Sequence, residues 1–391
     1  MPAPMDRPYS YLLSAAVAAT VPGFSTCAAA AERVEHVPTQ TESSAAPYAE
    51  AVRAAEQQHG ARSEQLLAPL EALADALARS GHYEEAVPLL QRAVAIMRAQ
   101  YGVFDLRQQN TLKALANSLV AVGRVSQAQD VMIYRAHAAE KIYGEGSPKV
   151  IPALCDLGDF FSETGKASEA HMTFNVALNI VGAGDALADP IIVEPLRGIA
   201  RTYMRRMSYP DAWRPSLARD RELRRDGEDA LRRALRILDA DPSATTPETR
   251  IETLIQMGDW YQIKKSPGEA LPYYQRAWQL IHATPSLSNS VRTALSVPLR
   301  VYYPTPGIVA HVPVQAEETR SHYVQVEFTV AADGSVTGAR VASHDTREQY
   351  ARDVLNAVRD SRFRPKFVDG QTVAAPGITY REVFRTGKSQ T

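Results

Sequence analysis

The chain has few of the residues from which covalent and metal sites are built. Its 391 residues include only two cysteines, Cys27 and Cys155, so we expect no intramolecular disulfide. The nine histidines are scattered and form no His-Glu-x-x-His or Cys-rich cluster, so no metal site is expected. No Gly-x-Ser-x-Gly motif occurs, and the glycines at 182 and 184 do not follow a predicted strand as a phosphate loop would. The sequence therefore predicts no enzyme and no cofactor.

Charge of one sign is not in excess. The chain carries 43 Lys and Arg against 44 Asp and Glu, a formal net charge of −1. Nucleic-acid-binding proteins normally show a basic excess, so we expect no nucleic-acid partner. A hydrophobic content of 45% allows a sizeable core, and the length suggests two or three domains.

Long apolar runs are missing except near the N-terminus. There Arg7 precedes the apolar stretch 11–31, which ends in small residues and is interrupted by Pro22 and Gly23. This pattern is typical of an export signal over 1–31, and the alternative is a weak membrane anchor over 11–31. Lipid attachment at Cys27 fits less well, because Phe24-Ser25-Thr26 lacks the usual leucine and small residues. Residues 32–47 are rich in Ser, Thr, Pro and Ala and are interpreted as a linker.

A repeat occupies the middle of the chain. Small residues recur at a spacing of 42, at Ala74, Ala116, Gly158 and Ala200, and a further copy starts at Gly258. A large residue, a glycine and a second small–large pair follow the first marker, at Leu77, Gly81, Ala86 and Leu90. This order predicts helical hairpins in which a small residue of one helix faces a large residue of the next. Glycine ends the first helix because the left-handed conformation costs it least.

These positions resemble tetratricopeptide repeats in the longer form found in kinesin light chain. The resemblance covers about 48–285 and implies five stacked hairpins. About 16 residues around 208–224 are additional in the fourth repeat, and we interpret this mixed-charge insertion as a solvated extension of a helix.

The resemblance also implies a groove lined by the first helix of each repeat. Lys113 and Asn117 are four residues apart, as are Arg197 and Arg201, so each pair shares one helical face. In repeats that capture a peptide carboxylate, Lys/Asn and Lys/Arg pairs hold it, and these four residues are candidate groove contacts. The alternative is a groove of mixed charge, because Asp159 would repel a carboxylate.

The pattern changes near residue 320. Val324, Val326, Phe328 and Val330 alternate with polar residues and predict a half-buried strand, which Asp333-Gly334 turns back. Residues 336–341 predict a returning strand with Thr337, Ala339 and Val341 on one side. An amphipathic helix is expected from Arg347 until Pro365 stops it, and residues 378–384 predict a last strand. The expected unit is a small α+β domain of order β-β-α-β.

This unit resembles the TonB family C-terminal domain over about 298–386. The residues that carry the resemblance are Tyr303-Pro304, the strand at 324–336, Ser343, the helix with Ala357, Arg362-Phe363-Arg364-Pro365 and the Gly370 turn. Residues 286–297 would be a linker and 387–391 a tail. The lead into the first strand is longer than is usual in the family, and a repeat array stands where members carry a Pro-rich spacer.

The resemblance implies a periplasmic protein that binds a segment of an outer-membrane transporter by strand addition. The candidate edge is the last strand, which consists of Ile378, Thr379, Tyr380, Arg381, Glu382, Val383 and Phe384. We expect the backbone of this edge to bind a peptide while its aromatic side chains serve the core.

The sequence thus predicts a multidomain protein, an all-α tetratricopeptide-repeat solenoid followed by a TonB-like α+β domain. The favoured function is a non-enzymatic periplasmic adaptor for proteins or peptides, such as an outer-membrane transporter segment. One alternative is an energy transducer for outer-membrane uptake, anchored in the inner membrane by residues 11–31 and facing the periplasm. A hydrolase accessory or an enzyme with an unrecognised site is the other, and no residue supports it.

Overall fold

The computed structural model describes residues 42–182, 189–208, 217–304, 306 and 319–387. The predicted leader over 1–31, with Cys27, and most of the predicted linker over 32–47 lie outside these residues. The first helix begins at Glu42, inside that linker. Among the described helices, none combines the length and the apolar character that a membrane crossing requires.

Helices fill the described chain up to residue 292. They are α1 (Glu42–His59), α2 (Leu67–Arg79), α3 (Tyr83–Tyr101), α4 (Gln108–Ala121), α5 (Val125–Tyr143), α6 (Ile151–Glu163), α7 (Ala167–Val181), α8 (Val193–Ser208), α9 (Leu217–Ala240), α10 (Pro247–Ile263), α11 (Pro267–Ala283) and α12 (Asn289–Arg292). From α2 to α11, consecutive helices pack in pairs, and each pair coincides with one predicted repeat. The expectation of helical hairpins is confirmed.

The small–large pairing of the repeats appears in the packing. Ala74 and Leu90 are both buried in the first hairpin. In the third hairpin the small residue is Gly158, where an added Cβ would lie 2.7 Å from the ring of Phe174. In the fifth, a Cβ on Gly258 would overlap the ring of Tyr274. Glycine at the position where the first repeat has alanine therefore leaves the space that an aromatic ring of the partner helix fills.

The turn after the first helix follows the prediction in the first three repeats, at Gly81, Gly123 and Gly165, but not in the fifth. Gly81 adopts a φ of +83°, in the left-handed region where glycine is least strained. Lys265 takes the matching place in the fifth repeat with a φ of +59°. A residue with a Cβ is strained in this conformation, so the turn is less favourable in the last repeat than in the first.

The insertion of the fourth repeat is helical where it is described. Helix α9 begins at Leu217 and runs for 24 residues, whereas residues 209–216 lie outside the described part. The register resumes at Gly227, where a Cβ would overlap the ring of Trp260 and come within 2.7 Å of Tyr203. Gly227 therefore takes the role of the small residue that Ala86 has in the first repeat.

Strands and one helix form the C-terminal part. They are β1 (Leu299–Tyr302), β2 (Thr319–Val330), β3 (Val336–His344), α13 (Glu348–Asp360), β4 (Arg362–Arg364), β5 (Lys366–Val368), β6 (Gln371–Val373) and β7 (Ala375–Gly387). The predicted β-β-α-β order is present as β2, β3, α13 and β7. The short antiparallel pairs β1–β4 and β5–β6 are additional to the prediction.

The main sheet has the order β3-β2-β7, with both pairings antiparallel. Its inner face buries the four predicted residues Val324, Val326, Phe328 and Val330. Helix α13 covers this face with Ala351, Val354 and Val358. The hydrophobic alternation of β2 thus determines which side of the sheet carries the helix.

Two details of this part differ from the sequence prediction. Helix α13 ends at Asp360, before Pro365, because residues 362–364 pair with β1 instead of continuing the helix. Thr337 is exposed, although Ala339 and Val341 are half-buried, because the register with β2 shifts around Gly338. Gly338 has a φ of +63°, as expected for a bulge that turns the preceding side chain outward.

The described chain divides into two compact units. One ends at residue 183, and the other begins at residue 184 and contains the fourth and fifth repeats together with the C-terminal strands. The predicted linker at 286–297 does not separate them, since it contains α12 and the buried residues Val291 and Leu295. Backbone carbonyls of this segment bind the strands, since the N–H of Phe367 donates to Leu295 and the guanidinium of Arg364 donates to Ala294.

Candidate interaction sites

Strand β7 lies at one edge of the main sheet. It pairs with β2 from residue 375 to residue 387, and no other described strand pairs with its outer side. Its side chains alternate: Thr379, Arg381 and Val383 are exposed, whereas Ile378, Tyr380 and Glu382 are half-buried and Phe384 is buried. This edge contains the seven residues predicted from the sequence. An unpaired edge offers backbone N–H and C=O groups to an extended peptide.

The inner side chains of β7 belong to a polar cluster with the segment at 300–303. The hydroxyl groups of Tyr303 and Tyr380 both donate to Glu382, the former over 2.8 Å. Burial and the charge of Glu382 raise the pKa of Tyr380 to about 12 and that of Tyr303 well above its usual value. Both hydroxyls therefore remain donors at neutral pH. This face of β7 therefore serves the structure.

The outer face of the sheet has mixed character. The guanidinium of Arg381 lies 4.0 Å from the ring centroid of Tyr323, and Arg340 pairs with Glu327 at 2.7 Å. Val383 is 58% exposed, which is high for a large aliphatic side chain in a strand. A strand added beside β7 would place its alternate side chains next to Val383 and Arg381.

Lys113 and Asn117 lie in the first unit, but only one of them lines a cavity there. The ammonium of Lys113 is 2.7 Å from a carboxylate oxygen of Asp156, which also binds Arg135. Asn117 lines a cavity of about 560 Å³ together with Glu71, Asp75 and Tyr83. Because Asp156 already neutralises the charge of Lys113, that residue is altered as a predicted contact for a peptide carboxylate.

Arg197 and Arg201 lie in the second unit and are also paired. Arg197 binds Glu194 at 2.8 Å and Glu252 at 2.9 Å, and Arg201 binds Glu194 at 2.8 Å. Gln256 donates to the backbone carbonyl of Arg197 over 2.8 Å. The two arginines therefore share their charge with carboxylates of the same unit.

A buried ionic network joins the last repeat to the strands. Both carboxylate oxygens of Asp259 on α10 accept from the guanidinium of Arg364 on β4, over 2.9 and 2.6 Å. The Tyr274 hydroxyl donates to the same carboxylate over 2.8 Å, and Arg364 also donates to the carbonyl of Ala294. Burial, together with the charge of Asp259, raises the pKa of Tyr274 well above 10, so it remains a donor. Asp259 is 7% exposed as a whole residue. The side chain of Arg364 is 11% exposed.

Close backbone packing reinforces this network. The side-chain amide of Gln262 donates to the carbonyl of Asp333 over 2.9 Å. A Cβ on Gly334 would overlap the carbonyl oxygen of Phe363 and lie 2.9 Å from Gln262. The Asp333-Gly334 turn therefore contacts α10 at a distance that only glycine permits.

Sequence reasoning missed the role of Asp259, Tyr274 and Arg364. Arg364 stood out only as part of a motif, and Asp259 did not stand out at all. One signal was available, because a polar Tyr274 stands where the third repeat has Phe174. A buried tyrosine usually requires a hydrogen-bond partner, and the partner could have been sought.

A second cavity, of about 520 Å³, lies within the second unit. Its wall comes from α8, α10 and α12 and from β1 and β4, so the last two repeats and the strands both form it. Arg197 and Arg201 are among its lining residues. The sequence prediction placed these two in a groove made by repeats alone.

Comparison with known proteins agrees with the resemblance found for the C-terminal strands. Residues 313–384 match the family of Gram-negative bacterial TonB protein C-terminal domains. None of the curated proteins searched matches the chain. Among solved structures, BtubC from P. vanneervenii is 19% identical with a TM-score of 0.45, covering 65% of this chain and 98% of that one. A kinesin light chain protein of Podospora anserina with nearly identical tetratricopeptide-like repeats is 18% identical with a TM-score of 0.41, covering 56% and 95%.

Proposed function

We propose that this protein is a non-enzymatic adaptor that binds an extended peptide along β7 and a second partner on its helical repeats. Tetratricopeptide-like repeats and TonB C-terminal domains are folds that generally mediate protein–protein interaction and are typically non-catalytic. The observation that carries the proposal is the outer edge of β7, a 13-residue strand that is paired on one side only among the described residues. Its inward side chains hold the strand in place, and an edge paired on one side is what an added strand requires.

The family match further supports a location in the Gram-negative envelope, with an outer-membrane transporter segment as a candidate partner. The predicted leader over 1–31 bears on this proposal. Intact mass of the protein recovered from the periplasm of a Gram-negative host would measure the mature N-terminus. Loss of about 30 residues is the expected result for an exported adaptor. A full-length chain in the inner membrane would instead favour the anchored energy transducer.

Peptide selection tests the edge directly. We would select extended peptides from a displayed random library on the whole chain and then measure their affinity for single variants. Glu382 and Val383 direct their N–H groups to opposite sides of β7, so a proline at one of them removes an outward donor without disturbing β2. That proline variant should unfold at the same temperature as the alanine variant of the same position and bind at least about tenfold more weakly than it.

Alanine at the same position is the matched control. Glu382→Ala or Val383→Ala removes the side chain but keeps the backbone N–H, so a strand-addition partner should lose much less affinity than with proline. Equal losses with alanine and proline would show that side chains carry the binding, and the strand-addition proposal would fail.

The cavity of the first unit supplies the second arm of the experiment. Asn117 lines it and is far in sequence from β7, so Asn117→Ala should weaken only those peptides that bind the repeats. Two classes of peptide are expected, one sensitive to proline in β7 and one sensitive to Asn117→Ala. A single class sensitive to both changes would contradict two separate sites.

A further inference from the structure

The cavity of the first unit is a groove between the first helices of two neighbouring repeats. Its volume of about 560 Å³ lies within the roughly 300–1,000 Å³ that is usual for ligand sites. Two sets of residues, each spaced as on one face of a helix, form most of its polar wall: Glu71, Asp75 and Ala78 on α2, and Asn110, Ala114 and Asn117 on α4. Both helices therefore turn one face toward the groove.

The charged residues that line this groove all belong to α2. Asp75 pairs with Arg79 over 2.9 Å, and both side chains are exposed. Glu71 is half-buried, and it accepts a hydrogen bond from the hydroxyl of Thr111. Within the part of the chain that the structure describes, Glu71 forms no ion pair with a lysine, arginine or histidine. Its carboxylate retains further acceptor positions, because one hydroxyl occupies only one of them.

The sign of this charge is opposite to that expected from the sequence. Lys113 was predicted to hold a peptide carboxylate, but it binds Asp156 and is not among the residues that line the groove. Asn117 does line it, and the carboxylate there is that of Glu71. The groove beside Asn117 therefore favours a cation over an anion.

The two asparagines favour a peptide over a small organic cation. Asn110 and Asn117 are exposed, and their side-chain amides make no hydrogen bond to another described residue. Each amide has a donor and an acceptor and can pair with both polar groups of a peptide bond, whereas a polyamine offers donors only. Seven helical residues rise about 10 Å, which is roughly the length of three extended residues.

Small side chains leave room for an aliphatic stem. Ala74, Ala78 and Ala114 line the groove together with the polar residues. Lysine and arginine bury their methylene groups along apolar surface and keep the charged head in a polar position. A basic side chain can therefore lie over the alanines and bring its head to the carboxylate of Glu71.

We propose that this groove binds an extended peptide that carries a lysine or arginine. The cationic head of that residue pairs with Glu71, and the amides of Asn110 and Asn117 bind the peptide backbone. The inference rests on the proposed adaptor function, because it gives the chemistry of the second partner that binds the repeats.

Peptide selection on the full chain tests the charge. Peptides from the displayed random library are divided by whether Asn117→Ala weakens their binding, and the sensitive class is sequenced. Lysine or arginine should be enriched in this class relative to the class sensitive to proline in β7. If Asn117-sensitive peptides are found without that enrichment, the inference fails and the adaptor function stands. If no Asn117-sensitive peptide is found, the repeat arm of the adaptor fails and the inference fails with it.

A double-mutant cycle assigns the cation to Glu71. Glu71→Gln keeps the length of the side chain and an acceptor for Thr111 but removes the charge. Norleucine in place of the peptide's lysine keeps the aliphatic stem but removes the ammonium group. Each change alone should weaken binding about tenfold, and both together should cost little more than either one. Additive losses would show that the ammonium group does not pair with Glu71, and the assignment would fail.

Glu50→Gln is the matched control, because Glu50 is exposed on α1 and does not line the groove. It removes the same charge from the first unit and should leave the affinity unchanged, so losses equal to those of Glu71→Gln would overturn the assignment. Thermal unfolding checks that both variants fold. If Glu71→Gln does not, the norleucine peptide on the unchanged chain still decides whether the cation contributes.

Cadaverine distinguishes a peptide from a small cation. Calorimetric titration of the full chain should give it an affinity at least about tenfold lower than that of the lysine peptide, because it cannot pair with the asparagine amides as a backbone does. Equal or tighter binding of cadaverine that Glu71→Gln abolishes and Asn117→Ala leaves unchanged would replace the peptide with a small organic cation.

Discussion

The third and fifth hairpins pack their two helices together with nearly the same residues at the contact. In both, a glycine and an aspartate stand in succession on the first helix, at 158–159 and 258–259, opposite an aromatic ring on the second. The ring is Phe174 in the third hairpin and Tyr274 in the fifth. One additional hydroxyl group gives the fifth hairpin a polar contact with Asp259, and Arg364 of β4 binds the same carboxylate.

The difference shows how a repeat becomes an attachment site. Repeat packing itself requires only a small residue facing a large one, so the aspartate beside the glycine is not restricted by it. In the third hairpin Asp159 is half-buried, whereas in the fifth Asp259 is buried under β4. A buried carboxylate is costly unless it is paired, and its pairing with Arg364 therefore specifies where the strands dock.

The largest effect is expected from breaking the ion pair. Arg364→Ala leaves Asp259 buried without its cation and should lower the free energy of unfolding by about 3–5 kcal/mol. Denaturant-induced unfolding measures it. Arg340→Ala, which breaks an exposed pair in the same module, should cost at most about 1 kcal/mol. Similar costs for the two variants would mean that the buried pair does not hold the strands.

The glycines test what the two hairpins share. Gly158→Ala and Gly258→Ala would each place a methyl group against an aromatic ring, and both should destabilise by about 1–3 kcal/mol despite the better helix propensity of alanine. Thermal unfolding measures the change. Gly268→Ala is the control, because a Cβ there meets no atom within 4 Å and should be neutral or stabilising. A destabilising Gly268→Ala would argue against overpacking as the cause.

Tyr274→Phe makes the fifth hairpin match the third. It removes the hydrogen bond to Asp259 but keeps the ring and the ion pair, so a loss of about 1 kcal/mol is expected. Chemical unfolding should be compared with that of Tyr273→Phe, which changes a half-buried neighbour on the same helix by the same atom. If Tyr274→Phe loses no more stability than Tyr273→Phe, the Tyr274 hydroxyl does not stabilise this contact.

The smallest effect concerns the turn that ends the first helix of each hairpin. Lys265→Gly gives the fifth hairpin the residue that the first has at Gly81 and should stabilise it by about 1 kcal/mol. The pair of Lys265 with Asp360, at 3.9 Å and well exposed, contributes little to oppose this. A lower unfolding temperature for the glycine variant would mean that the left-handed strain at Lys265 is offset by contacts of its side chain.

Periodicity explains most of what was predicted correctly. The spacing of small and large residues located the hairpins, and the alternation in β2 located its buried face, because each pattern reports which side of an element avoids water. The same patterns could not place β1 and β4, each of four residues or fewer, or the bulge at Gly338. Segments this short contain too few side chains to show a period.

The candidate sites, too, could be predicted from the sequence only in part. The edge strand at 378–384 could be located from its alternation and from the family resemblance, and the structure finds it at a sheet edge. The groove residues could be found as pairs on a helix, but their internal partners Asp156, Glu194 and Glu252 could not. Which carboxylate meets which arginine depends on tertiary geometry that spacing does not record.

The sequence by itself determined the helical hairpins, the three main strands and the helix that covers them, since local hydrophobic period and turn residues specify these. Only the tertiary structure decided that the strands belong with the last two repeats and that a cavity lies there. Asp259 and Arg364 are 105 residues apart, and their pairing depends on the two elements meeting with both charges removed from water. No local pattern encodes that distance, because it is set by how complete elements pack against each other.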